Sequence, residues 1–125
     1  MLDPAGRVAM VSGATRGIGR AVTERLLSLG YSVSVGVRAP AKCADAPGLF
    51  ATRYEAEEEG SAEAWVAATI ARCGRIDAVV NCAGVNPMGR ALEAADEPAI
   101  DQMWRVNVKG PMRVTRAAWP HLIAA

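Results

Sequence analysis

The run from Val8 to Gly30 constrains the fold more than any other part of the chain. Four apolar residues, Val8 to Val11, lead without a break into "SGATRGIG", Ser12 to Gly19. A short apolar run that stops at a glycine-rich turn reads as a buried strand. Ile18, Val22, Leu26 and Leu29 then recur at helical spacing, and Gly30 supplies a C-terminal stop. Gly13, Gly17 and Gly19 permit a tight turn and let the protein backbone approach a ligand closely.

The rest of the chain repeats this alternation. "YSVSVGV" is rich in β-branched residues and reads as a second strand, and "GLFATRY" as a weaker third. "SAEAWVAATIARCG" is helical, with Ser61 the expected N-cap and Gly74 the stop. The acidic cluster Glu55 to Gly60 is a solvated loop or the lead into that helix. "IDAVVNCAG" is a fourth strand running into a turn, and a long helix starts near Asp96 and Pro98. Strands alternating with helices imply parallel βαβ units with right-handed crossovers. The expected fold is therefore α/β: an open parallel sheet of Rossmann type in the order 3-2-1-4, with helices on both faces. The 125 residues are enough for one domain with a real core, residues 1–125.

Composition narrows the function classes. Hydrophobic residues make up 51% and charged residues 22%, as in soluble globular proteins. A net charge of +1 provides no basic field for nucleic acid or a membrane surface. No apolar run approaches a membrane span, and the N-terminus lacks the basic start and long apolar core of a signal peptide. Cys43, Cys73 and Cys82 are odd in number and form no C-x-x-C. That disfavours a disulfide framework or a metal site, and a reducing, cytoplasmic location is expected.

Two local features point to chemistry. The glycine-rich turn opens a helix whose first N–H groups and partial positive charge suit a pyrophosphate; the competing reading is a βα turn that binds nothing. The second feature is "NVKGP", Asn107 to Pro111. Ile100, Met103, Trp104, Val108 and Val114 mark an apolar face, and Asn107 falls on it. Pro111, lacking an N–H, cannot serve the carbonyl of Asn107 four residues back. Asn107 therefore sits where a hydrocarbon belongs and needs a partner. The simpler alternative is a proline kink with Asn107 capping something nearby.

At these residues the chain resembles the short-chain dehydrogenase/reductase family. "SGATRGIG" matches the family's T-G-x-x-x-G-x-G with Ser12 for Thr; "NCAG", Asn81 to Gly84, matches N-N-A-G with Cys82 for Asn; "RVNVKGP" matches the helix carrying the family's structural asparagine. The resemblance covers all 125 residues, which correspond to about the first half of a typical member. It implies a cofactor site of Ser12, Gly13, Thr15, Arg16, Gly17, Ile18, Gly19, Arg38, Glu55, Asn81, Ala83 and Gly84. Asn107 would take the catalytic-site role, its main-chain carbonyl holding a water that relays protons toward a lysine and a tyrosine. After the second strand an NAD enzyme places an acid, whereas an Arg accommodates a 2′-phosphate. Here Val37 is followed by Arg38, no acid occurs between Glu24 and Asp45, and Arg16 adds a second cation. NADP(H) is therefore expected over NAD(H). Glu55 stands where the family often has an Asp near the adenine amino group. Cys82 is read as a small packing residue.

The family's Ser and Tyr-x-x-x-Lys do not occur in these residues: Tyr31 is followed four positions on by Val35, and Tyr54 by Glu58. Lys109 is expected on the exposed side of its helix, and His121 in a loop. The chain stops at "PHLIAA", where the family continues into a fifth strand. One reading is an NADP(H)-dependent carbonyl or alcohol oxidoreductase represented by its cofactor-binding half, acting on a small molecule. Others are a non-catalytic dinucleotide-binding module and an inactive truncated product. The fourth strand becomes an unprotected edge, so self-association through that edge and the long helix is expected.

Overall fold

The computed structural model describes residues 2–87 and 96–125. Strand β1, Val8–Ser12, is buried along its whole length, as expected of a central parallel strand covered on both faces. It pairs in parallel with β2, Ser32–Val37, and with β4, Ala78–Asn81; β3, Leu49–Arg53, pairs in parallel with β2. The sheet order is β3-β2-β1-β4, as the alternation of elements implied.

Successive side chains of a strand point to opposite faces, and this sorts the core into two layers. Val11, Val33, Val35 and Val37 pack with Val22, Leu26 and Leu27 of helix α1, Gly17–Ser28. Met10 joins Trp65 and Val66 of α2, Ser61–Cys73, and Val114 and Ala118 of α4, Gly110–Ala124, on the other side. The alternate residues of β2, Ser34 and Gly36, also serve this second layer. Trp65 Nε1 donates to Ser34 Oγ at 3.0 Å, and Ser34 Oγ lies 2.7 Å from Thr69 Oγ1. A Cβ on Gly36 would meet the Trp65 ring at 2.8 Å, so the indole lies directly on the strand backbone.

Helix α1 ends as the glycine predicted. Gly30 adopts φ 96°, its N–H donates to the Leu27 carbonyl, and the Tyr31 N–H donates to the Leu26 carbonyl. These are the paired bonds of a Schellman motif. Two details of the expected faces change. Ile18 is 77% exposed because it belongs to the turn end of α1, before the helix meets the sheet; Leu27 packs in the core beside Val22 and Leu26. Ser61 is the first helical residue of α2 and not its cap: Gly60, at φ 80°, holds the cap position, and Ser61 Oγ accepts a hydrogen bond from the Glu55 N–H. The stretch between Glu55 and Gly60 is a turn, with Ala56 buried in the core and residues 57–60 exposed.

The long helix departs most from its expected form. It begins with α3, Glu97–Trp104, preceded by Asp96 without a side-chain cap bond. Arg105–Lys109 is a π-helical turn, in which the Gly110 N–H reaches back five residues to the Arg105 carbonyl. Then α4 runs through Pro120 to Ala124, so His121 is helical, not in a loop. The extra residue of the π turn rotates the buried stripe. Val106, Gly110, Val114 and Ala118 face inward, while Ile100, Trp104 and Asn107 are exposed, contrary to the expected stripe. Proline accounts for the break: without an N–H at Pro111 the α-helical ladder cannot continue there, and a π turn is one way to absorb that.

Candidate dinucleotide site

The register of the sheet brings the nominated residues to one edge. Ser12, the last residue of β1, lies beside Gly36 of β2 and Asn81 of β4. The chain segments that leave these ends, Gly13–Arg16, Arg38 and Cys82–Gly84, are therefore neighbours along the carboxyl edge of the strands. The sheet order reverses direction between β1 and β4, and open α/β sheets bind ligands at that switch point.

Close packing within the turn explains its glycines. A Cβ on Gly13, at φ 65°, would lie 2.7 Å from the Ala83 nitrogen, and one on Gly19 would lie 2.1 Å from the Gly13 oxygen. Gly17 differs: it needs φ 58°, yet nothing lies within 4 Å of where its Cβ would be. The turn is packed on the protein side and open on the other. Beneath it, Ser12 is 2% exposed, and its hydroxyl accepts hydrogen bonds from the Cys82 and Ala83 N–H groups at 3.1 and 3.0 Å. Ser12 thus ties the ends of β1 and β4 together under the loop. Cys82 packs there as well, 3.1 Å from the site of a Gly19 Cβ.

The electrostatics at this edge favour an anion. Helix α1 has no acidic residue in its first turn, and its N-cap, Arg16, supplies no side-chain cap bond. The first N–H groups of α1, which like those of any α-helix have no intrahelical partner, therefore receive no side-chain cap from Arg16 either. Thr15, Arg16 and Arg38 are exposed, and among the described residues neither arginine forms an ion pair. Those features suit an anionic ligand: amides without a helical partner, the positive end of a helix dipole and, among the described residues, two cations without an ion pair. Glu55 is half-buried at the end of β3, two residues beyond Arg53.

Asn107 finds its partner in the main chain of Val85. Its Oδ1 accepts from the Val85 N–H at 2.8 Å, and its Nδ2 donates to the Val85 carbonyl at 2.7 Å. A Cβ on Gly84 would come within 3.3 Å of Asn107 Oδ1, so Gly84 admits this amide. The pairing gives the polar side chain the partner it needed, in the main chain of the segment after β4. Asn81 Nδ2 makes a longer contact, 3.5 Å, to Thr115 Oγ1 of α4. Two participants had no sequence signal of their own. Gly110 packs within 3.2 Å of Ala56 if given a Cβ, and Tyr54, 5.0 Å from Trp65 ring to ring, is buried behind it. Burial first, and then Glu55, pushes the Tyr54 phenol above its ordinary range.

Among the described residues there is no group of three His, Cys, Asp or Glu side chains able to hold a metal, and no helix is long and apolar enough to cross a membrane. A groove lined by Pro111, Met112, Thr115, Arg116, Trp119 and Pro120 lies along α4, and Thr115 is also the residue that Asn81 contacts.

A parallel sheet with a glycine turn opening a helix at its switch point defines a dinucleotide-binding α/β protein. More specifically, residues 7–125 match the model of the short chain dehydrogenase family, and the chain belongs to that family, whose members are oxidoreductases that bind nicotinamide dinucleotides. It is 36% identical over 120 residues to an agropine synthesis reductase of Rhizobium rhizogenes, spanning 92% of this chain and 28% of that protein. It is 37% identical over 129 residues to a putative ketoacyl reductase of granaticin polyketide synthesis in Streptomyces violaceoruber, spanning 95% of this chain and 51% of the relative. Among solved structures, a 3-ketoacyl-(acyl-carrier-protein) reductase from Brucella melitensis, complexed with NADH, matches 94% of this chain and 50% of its own, at 27% identity and a TM-score of 0.83. The fold is also shared with an aldohexose dehydrogenase of Thermoplasma acidophilum, TM-score 0.88 at 24% identity over 98% of this chain and 47% of that one. The chain thus spans about half the length or less of these relatives.

Proposed function

We propose that this chain forms the cofactor-binding half of an NADP(H)-dependent oxidoreductase that interconverts a carbonyl and an alcohol on a small molecule. The observation that carries the reading is the glycine turn, packed on its protein side and open on the other, at the N-terminus of an uncapped α1. In this reading the amides of residues 17–19 receive the pyrophosphate, with Ser12 holding Cys82 and Ala83 in place below. Thr15 and Ile18 line the turn. Ala83 and Gly84 form the floor along which the ribose passes, and Glu55 reaches the adenine amino group. Arg38 and Arg16 receive the 2′-phosphate, because each is an exposed cation without an ion-pair partner among the described residues. The nicotinamide would supply the hydride. Asn107 fixes the strand extension at Val85, and its carbonyl, denied an N–H by Pro111, is assigned to a proton-relaying water. The Ser and Tyr-x-x-x-Lys that complete the relay in this family do not occur among these 125 residues, so the chain by itself is expected to bind without turnover.

The test is a fluorescence titration of the chain with NADPH and with NADH. NADPH should bind at least about tenfold more tightly, since a charge-assisted contact is worth roughly 1.5–3 kcal/mol. Arg38→Asp should erase or reverse that preference. Equal affinity of the parent chain for both cofactors would refute the assignment.

A further inference from the structure

The π turn that carries Asn107 is held from outside by the turn that follows β3. Arg105, the first residue of the π turn, donates from Nε to Glu57 Oε1 at 2.9 Å. At the far end, Gly110 lies against Ala56 and Tyr54, and Arg113 Nη1 approaches the Ala56 carbonyl at 3.4 Å. Both ends of the π turn are therefore fastened to residues 54–57, and Glu57 is two positions from Glu55. A π turn closes its hydrogen bonds over one residue more than the surrounding α-helix does, so its rotational setting needs fixing by contacts outside the helix. Asn107 stands two residues after Arg105, and in this setting its amide reaches the Val85 main chain.

We propose that Glu57 and Arg105 are a positioning pair: their contact sets the π turn so that Asn107 clamps Val85, linking the turn after β3 to the strand extension at residues 83–85. Neither touches the nominated cofactor surface. The significance for catalysis rests on the dinucleotide reading above; the positioning itself does not.

The experiment is hydrogen–deuterium exchange of the 125-residue chain, read by mass spectrometry. The observable is exchange of the peptide containing Val85 relative to that of the β1 peptide, so any global loss of stability cancels. Asn107→Ala calibrates the signal by removing the clamp. Glu57→Ala and Arg105→Ala should each speed the relative exchange by about two- to fivefold, the scale of an exposed ion pair. Their combination should do little more than either alone. The reversed pair, Glu57→Arg with Arg105→Glu, should recover most of the parent protection. Unchanged relative exchange in both single variants, or equal loss in the reversed pair, overturns the proposal, as does an Asn107→Ala variant that leaves Val85 protected. No arm requires cofactor. Failure to bind any dinucleotide would refute the function proposed above and leave this outcome readable.

Discussion

Gly19→Ala tests whether the glycine turn is shaped by packing or merely by flexibility. Gly19 is buried in the first turn of α1, with helical backbone that alanine accepts readily. Propensity alone would reward the change by up to about 1 kcal/mol. The added Cβ, however, would lie 2.1 Å from the Gly13 carbonyl oxygen, 2.7 Å from its carbon and 3.1 Å from Cys82 Cβ. A carbon and an oxygen normally approach no closer than about 3.3 Å. The overlap is thus roughly 1 Å, and it is against backbone, so no rotamer change relieves it. Overpacking costs about 1–3 kcal/mol; an overlap of about 1 Å against backbone belongs in the upper part of that range, about 2–3 kcal/mol, which outweighs the propensity gain. A net loss of about 1–2 kcal/mol should lower the melting midpoint by roughly 3–10 °C. Moving Gly13 also displaces the turn whose amides we assign to the pyrophosphate, so NADPH affinity should fall by at least about tenfold. Gly17→Ala is the contrast: it meets no atom within 4 Å, and its cost is only the roughly 1–2 kcal/mol of a left-handed alanine at φ 58°. Calorimetry and NADPH fluorescence read the two effects. A Gly19→Ala chain that melts at or above the parent midpoint would refute the packing account.

Two further outcomes follow from other parts of the sheet. The Asp77 side chain is only 5% exposed and accepts from the Val8 N–H, with Arg75 and Arg7 beside it. Burial pushes its carboxyl up, but Arg75, the Val8 amide and Arg7 together outweigh burial and hold it below the ordinary 3.8. A depressed folded value means that its contribution is complete above the ordinary aspartate range and is lost as pH falls through the lower folded value. Asp77→Ala should cost about 1.5–3 kcal/mol in urea unfolding at pH 7, and the gap from the parent should narrow as pH falls below the ordinary aspartate range; a gap that stays constant as the pH falls would contradict the assignment. The chain should also self-associate in sedimentation velocity at micromolar concentration. Among the described residues β4 has a strand neighbour only on its β1 side, and Met112, Trp119 and Ile123 are exposed along α4. Leaving about 200 Å² of such surface uncovered forfeits on the order of 5 kcal/mol. A sharp monomer boundary with a single cooperative melt would show that the edge and the helix face are tolerated.

Local and periodic information was enough for much of this protein. The order β3-β2-β1-β4 followed from alternating strand and helix patterns, because parallel strands with right-handed crossovers leave few arrangements. Gly30 and Gly74 stopped their helices where left-handed backbone is needed, a property of one residue and its immediate neighbours. The family motifs at Ser12–Gly19 and Asn81–Gly84 pointed to the carboxyl edge for the same reason: a strand, a turn and a helix start are contiguous in the chain. Contacts between distant segments were not legible. Ser12 reads as one member of a loop motif, yet its hydroxyl bonds the amides of residues seventy positions away. The stripe drawn through Ile100, Trp104 and Asn107 assumed a uniform helical period, and the π turn at Arg105–Lys109 rotated it by a residue. Which way Asn107 points, and that Val85 is its partner, depends on that rotation and on the packing of Gly110 against Ala56. Such a setting is fixed by long-range contacts whose energies no local pattern encodes, so only the tertiary structure decided it.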